Sequence, residues 1–261
     1  MAYVSACSCL CQYWDTTKNR KGCSKTLKVL FQEAKTHFSV QLIIAALNEA
    51  PGIGPTIAEM KDTLENISVL VVDGNSSDST VEIAKSLGAK VVCQDGFGKG
   101  DALAKAIEYT DPNVDYIVFT DADHTYPAEY VPVMIRVLEA NPLVGMVCGN
   151  RLTGQVDKEA LHSVFHTGNR LLALVNNMLS GARLQDPLTG LRVVRADILN
   201  GWLPKSKGFD IEVELNHLVE RQGFKIQEIP ISYRVRLGEK KLKASHGIAI
   251  LKRMLLEMLR S

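Results

Sequence analysis

The 261-residue sequence predicts an α/β domain with a mostly parallel sheet flanked by helices, and three observations carry that prediction. Short apolar runs recur through residues 38–150, each followed by a polar loop and then by apolar residues at helical spacing, the alternation of a parallel sheet. Polar and acidic residues stand where those runs end. The hydrophobic fraction, 46%, is enough for one large core.

The first run, residues 40–46, opens into Leu47-Asn48-Glu49, and Ile53, Ile57, Met60 and Leu64 then recur at helical steps. Residues 67–72 form the second strand and open into Asp73-Gly74-Asn75-Ser76-Ser77-Asp78-Ser79-Thr80. Val81, Ile83, Ala84 and Leu87 mark the helix that follows. The third strand, residues 90–93, leads through Gly96-Phe97-Gly98-Lys99-Gly100 into a helix from about Asp101 to Tyr109, with Asp101 as its cap. Residues 116–120 are a fourth buried strand, closed by Asp121-Ala122-Asp123. Residues 145–149 are a fifth, with Arg151 beyond it.

After Arg151 the organisation changes. An amphipathic stretch spans 162–178, a loop 186–189, a late strand pair 224–235 and a basic amphipathic helix 245–261. In that last helix Arg253 and Glu257 lie opposite Ile248, Leu251, Leu255, Met258 and Leu259. Ile248 and Leu251 are expected to pack on the sheet, and Leu255 to Leu259 suit either the sheet or a membrane interface. The domain is thus expected over 38–261, with halves 38–150 and 151–261. Residues 1–37 read as a tail, disordered or appended, whose Cys7, Cys9, Cys11 and Cys23 lack the usual C-x-x-C spacing of a zinc site. Cys93 and Cys148 sit in apolar runs and read as inert core thiols.

In a parallel sheet the strand ends empty into one crevice, so Glu49, Asp73, Lys99, Asp121 and Asp123 converge although far apart in sequence. Singly, each has an ordinary explanation as a helix-entry charge, a turn former or a solvated cation. Together they describe a site. Two carboxylates separated by one small residue at a strand end suit a divalent cation that also bridges a nucleotide diphosphate.

With these residues in view, the chain resembles family 2 glycosyltransferases, in the branch of dolichol-phosphate mannose and glucose synthases. The resemblance covers about residues 38–258. It rests on Asn48-Glu49, Asp73-x-x-Ser76-x-Asp78-x-Thr80, Gly98-Lys99-Gly100, Asp121-Ala122-Asp123, Asp186-Pro187-Leu188-Thr189-Gly190 with Arg192, 208–214 and 236–242. The resemblance implies a GT-A, Rossmann-like fold with a donor half and an elaborated acceptor half. It also implies that Glu49, Asp73 and Asp121 hold the base and ribose while Asp123 holds Mg2+ or Mn2+. Leu47, Lys99 and Ala122 complete the expected nucleotide-sugar site, and Asp121 and Thr125 the expected metal site. The chain departs from the family's usual residues at Ala45, Gly74, Thr125 and Lys240.

The acceptor follows from chemistry. A hydroxyl needs a base, for which Glu212 or Glu214 would serve, whereas a phosphate monoester is already anionic and needs cations. Arg151, Arg234, Arg236 and Lys241 are the expected cations, with Arg151 and Asp123 as the catalytic pair, because a guanidinium matches a phosphate bidentately. Arg192 and Arg195 fit surface salt bridging as well as they fit a site. The expected partners are a nucleotide-sugar (UDP- or GDP-linked), a polyprenyl or dolichyl phosphate, a membrane surface and a membrane protein, without nucleic acid.

Charge is polarised: 30 basic and 29 acidic residues nearly cancel, yet residues 231–261 carry eight Lys/Arg against two Glu. No apolar run reaches the roughly 18 to 20 residues that span a bilayer, and the start shows no signal-peptide pattern. The expectation is a cytoplasmic protein, peripheral on the inner membrane face. The rival readings are a nucleotidyltransferase, which would open with a glycine-rich, arginine-bearing loop after strand one, and a non-catalytic nucleotide-binding module.

Overall fold

A computed structural model describes residues 38–153, 165–180, 183–239, 241 and 246–259, without the side chains of 165–167. The tail 1–37 with its four cysteines, His162, Lys240, Lys243, Arg260 and the His166 side chain lie outside the described residues.

Among the described residues seven strands form one sheet: β1 (Val40–Ala46), β2 (Ile67–Asp73), β3 (Lys90–Cys93), β4 (Tyr116–Asp121), β5 (Val144–Asn150), β6 (Arg192–Arg195) and β7 (Lys225–Pro230). Their order is β3-β2-β1-β4-β6-β5-β7. All pairings are parallel except those of β6, which runs antiparallel to both neighbours. The helices are α1 (Ala50–Thr63), α2 (Thr80–Ser86), α3 (Lys99–Glu108), α4 (Val131–Ala140), α5 (Phe165–Leu179), α6 (Ile211–Arg221) and α7 (His246–Met258).

Side-chain alternation in the strands sorts the core into two layers. Leu42 and Ile44 face Ile53, Ile57 and Met60 of α1 and Met134 and Leu138 of α4. Ile43 faces the opposite way, with Leu103 of α3 and Ile211 and Leu215 of α6. The sheet is therefore covered on both faces, as parallel strands require. Because β2 and β4 flank β1, the chain reverses direction across the sheet at β1, and the carboxyl ends of β1, β2 and β4 border the switch point.

Four expectations need correction. The strand pair over 224–235 is one strand, β7, which ends at Pro230 opposite Asn150, the last residue of its partner β5. Beyond it the chain crosses as a strap toward the ends of β1 and β4. The α3 helix starts at Lys99, ahead of the expected cap, and Asp101 instead accepts the Gly96 amide at 2.8 Å. Cys93 is exposed on edge strand β3, whereas Cys148 is buried, and burial pushes its thiol up to about 12.

The fourth concerns α7, which packs with its charges inward. Ile250, Arg253, Met254 and Glu257 are buried, while Ile248 (75% exposed), Leu251, Leu255 (50%) and Met258 face outward. The reason is a set of partners invisible in the local pattern. Arg253 pairs with Asp210 at 3.0 Å and Glu257 at 3.2 Å, and Glu257 pairs with Arg221 at 2.6 Å. On α5, Leu172, Val175 and Leu179 pack against the Val213, Ile250 and Met254 cluster, and Leu171, Leu174 and Met178 are exposed. Among the described residues no helix is long and apolar enough to cross a membrane.

Candidate active site

A line of ion pairs crosses the switch point, each member supplied by a different segment. Glu212, on the first turn of α6, meets Lys99 at 2.7 Å, and Lys99, opening α3, meets Asp121 at the end of β4 at 2.7 Å. Two residues on, Asp123 meets Arg236 of the strap at 3.2 Å. Arg236 in turn meets Glu49 after β1 at 3.2 Å, and Lys241 lies 3.5 Å from Glu49. Thus Glu49, Lys99, Asp121, Asp123, Arg236 and Lys241 are brought together. Asp73 stands at the end of β2, buried, its carboxylate accepting the amide and hydroxyl of Ser76 at 2.9 and 2.6 Å.

The local backbone explains the fit. Asn48 and His124 have positive φ, 48° and 61°, turning the chain sharply after β1 and β4. Gly190 allows the 186–190 loop to pass over Asp121, since a Cβ there would lie 2.5 Å from Oδ2. Gly238 has a φ of +92°, and a Cβ on it would crowd Glu49 at 2.9 Å.

Electrostatics divide the carboxylates. Burial would raise Asp121, but the ammonium of Lys99, with Arg151 and Arg236 behind it, holds its carboxyl below the usual range. Burial and the charge of Asp121 raise Asp123. Burial also raises Glu49, to about 7, against the opposing pull of Lys241 and Arg236.

The remaining expected residues have other attachments. Thr125 donates its hydroxyl to Asp123 Oδ1 at 2.7 Å, anchoring that carboxylate. Arg151 forms two 2.7 Å bonds with Asp186, and its guanidinium lies 5.5 Å from the ring centre of Tyr233. Arg234, expected among the phosphate cations, directs both terminal nitrogens to Glu59 at 2.6 and 2.8 Å. Leu47 is exposed, and Ala122 is buried beneath α1. Glu214 accepts the amides of Lys205 and Ser206 at 2.8 and 2.7 Å, so it serves as a scaffold.

Sequence reasoning left Arg192 and Arg195 between surface salt bridging and a site, and overlooked Glu228 and Glu59. Arg192 is no surface cation: at 1% exposure it donates to the carbonyls of Thr189 and Pro187 and to Asn216, fixing the loop that carries Asp186. Arg195 likewise bonds the carbonyls of Val144 and Leu138. Glu228 accepts the amides of Gln185 and Asp186 at 2.8 and 2.7 Å. Glu59 carries no motif. The one legible signal was the quoted Arg192 beyond Gly190.

The donor set fits a hard divalent cation. Asp121 and Asp123 offer carboxylate oxygens, and a cationic group already stands 3.2 Å from Asp123 Oδ2 in the form of Arg236. Among the described residues no cluster of three or more His, Cys, Asp or Glu side chains could hold an ion by itself. Glu49 Oε2, Glu212 Oε2 and Arg236 Nε are buried without a protein partner, which suits groups that bond a ligand.

A family model described as glycosyl transferase family 2 matches residues 41–201. The chain is 33% identical over 231 residues to a dolichyl-phosphate hexose transferase of Haloferax volcanii, covering 86% of this chain and 98% of that protein. It is 32% identical over 212 residues to the low-salt glycan biosynthesis hexosyltransferase Agl6 of the same organism, covering 79% of this chain but only 50% of that relative's length. It is also 29% identical over 219 residues to an undecaprenyl-phosphate mannosyltransferase of Micrococcus luteus, covering 78% of this chain and 87% of that protein. Glucosyl-3-phosphoglycerate synthase from Mycobacterium tuberculosis, solved with Mn2+, UDP and glucosyl-3-phosphoglycerate, is similar at a TM-score of 0.66 and 21% identity. That match covers 88% of this chain and 82% of that one, and the likeness is one of fold.

Proposed function

The chain belongs to glycosyltransferase family 2, and from that premise we propose that it moves a hexose from a UDP- or GDP-linked donor to the phosphate of a polyprenyl or dolichyl lipid. The observation that carries this reading is the pairing pattern at the switch point. Cations from the strap reach the same carboxylates that suit a metal–diphosphate, while of the two candidate bases Glu214 is committed to two backbone amides and Glu212 is ion-paired with Lys99 through one oxygen. A phosphate acceptor needs no base and does need cations. The names of the Haloferax and Micrococcus relatives point the same way.

In this reading Asp73 and Glu49 accept hydrogen bonds from the donor's base and ribose, and Asp121 and Asp123 hold Mg2+ or Mn2+. A divalent ion held there would supply neutralisation of the charge on the departing diphosphate. Arg236 and Lys241 then turn to the anionic groups, and Arg151, held in orientation by Asp186, faces the acceptor phosphate. A lipid phosphate oxygen attacks the anomeric carbon as the bond to the nucleoside diphosphate breaks, with inversion. The outward apolar stripe of α7 and the exposed Leu171, Leu174 and Met178 of α5 support a peripheral seat on the membrane, where such an acceptor lies. The basic charge of residues 231–261 favours an anionic surface.

The test is nucleoside diphosphate release from a panel of UDP- and GDP-hexoses with a short polyprenyl phosphate and Mg2+ or Mn2+. Release should depend on the lipid phosphate, and Asp123→Asn should lower it by on the order of 10²-fold or more. Equal release with the unphosphorylated lipid alcohol would overturn the acceptor, and undiminished turnover in Asp123→Asn the metal assignment.

A further inference from the structure

Three positions of α1 form one stripe: Gly52, Thr56 and Glu59, four and then three residues apart. That stripe faces the loop after β4. Gly52 comes so near that a Cβ would stand 2.5 Å from the Ala122 carbonyl oxygen and 2.7 Å from Asp123 Cα. The Thr56 hydroxyl is 3.4 Å from the same carbonyl, and Glu59 meets His124 Nε2 at 2.8 Å and accepts the Ala128 amide at 3.2 Å. His124 holds a left-handed backbone, uncommon for a residue other than glycine although His is among the more tolerant, and its ring contact with Glu59 ties that turn to α1.

The same carboxylate reaches the strap. Arg234 gives both terminal nitrogens to Glu59, its amide donates to Thr125 O at 3.0 Å, and the Leu237 amide donates to Asp123 O at 2.9 Å. Between those two amides sits Arg236, against Asp123 and Glu49. Burial would raise the Glu59 carboxyl, but Arg234, Ala128 and His124 hold it below the ordinary range, so it stays an anion.

We propose that Glu59 is a positioning residue that clamps the loop bearing Asp123 to the strap bearing Arg236, so that the metal-side carboxylate and the phosphate-side cation keep one spacing. Arg234 belongs to this clamp. The inference rests on the proposed function for its catalytic meaning, while the clamp itself is a property of the ligand-free protein.

The experiment uses the full chain. In ligand-free Glu59→Gln, hydrogen exchange at the Arg234 and Leu237 amides should quicken tenfold or more, with amides of β1 and β2 unchanged. Mn2+ binding in the presence of UDP or GDP, followed by electron spin resonance, should weaken about tenfold. In the nucleotide-release assay kcat should fall more than the donor KM rises. Arg234→Gln should behave alike, and the double variant should be no worse than either single one. Wild-type exchange at those two amides, or additive losses in the double variant, would overturn the clamp. Absence of Mn2+ and nucleotide binding by the wild-type protein would instead remove the catalytic meaning together with the proposed function, with the exchange result still deciding the clamp.

Discussion

Two glycines of α1 sit two residues apart and predict opposite outcomes for the same substitution. In Gly52→Ala the new methyl would lie 2.5 Å from Ala122 O and 2.7 Å from Asp123 Cα, both backbone atoms, where ordinary contact begins at 3.4 Å. Helix and loop must therefore part by about 0.9 Å, and no side-chain rotation can relieve it. Overpacking of this kind costs about 1–3 kcal/mol, offset by up to about 1 kcal/mol because alanine favours a helix more than glycine does. On the proposed function the larger effect is on activity, since a shift of about 1 Å in the carboxylate proposed to hold the metal would cost on the order of 10²-fold. In Gly54→Ala the methyl meets only the side chains of Ile83, at 3.2 Å, and Leu87, at 3.9 Å, which can give. Its stability should stay within about 1 kcal/mol of the parent, with full turnover. Urea unfolding and donor-dependent nucleotide release on the two variants decide the matter. If Gly52→Ala matches Gly54→Ala in both assays, the close approach of α1 to the Asp123 loop does not govern the site.

Three further perturbations test other parts of the molecule. Glu49 in the fold binds its proton more tightly than in the unfolded chain, near 7 against 4.5, so its stabilising contribution is complete below pH 4.5 and disappears as pH rises through about 7. Glu49→Gln should flatten the stability profile over that window in urea titrations, and an unchanged slope would count against the raised carboxyl. Arg253→Met leaves Asp210 and Glu257 without their buried cation and should cost about 3 kcal/mol or more by chemical denaturation; a loss under about 1 kcal/mol would mean the pairs contribute little. Leu255→Glu places a charge on the outward stripe of α7 and should reduce co-sedimentation with anionic lipid vesicles without altering the unfolding midpoint, whereas undiminished sedimentation would move the membrane contact elsewhere.

How much could be read beforehand depended on the range of the interaction. The strands β1, β2, β4 and β5 are apolar runs buried on both faces, so composition alone reveals them. Glu49, Asp73 and Asp121 followed because a parallel sheet delivers its strand ends to one place. By contrast, β6 is four residues long with an arginine at each end, a pattern that reads as surface; it becomes a central strand because Arg192 finds two carbonyls and Asn216 inside. Glu59 and Arg234 stand 175 residues apart, and nothing local to either announces the other.

The reversal of α7 has the same origin and a consequence for the site. A charged residue is normally assigned to water because an isolated buried charge is costly, yet Arg253 and Glu257 are inside because Asp210, Glu214 and Arg221 are there to meet them. Those partners all lie on α6 or its entry, and the first turn of α6 also carries Glu212, which meets Lys99 and through it Asp121. Ile250 and Met254 supply the apolar part of the inner face and the ion pairs complete it, so Ile248, Leu251 and Leu255 are left exposed. The charges thus do two things at once: they release an apolar surface to the outside, and they fasten the helix bearing that surface to the element supporting the Lys99 and Asp121 pair.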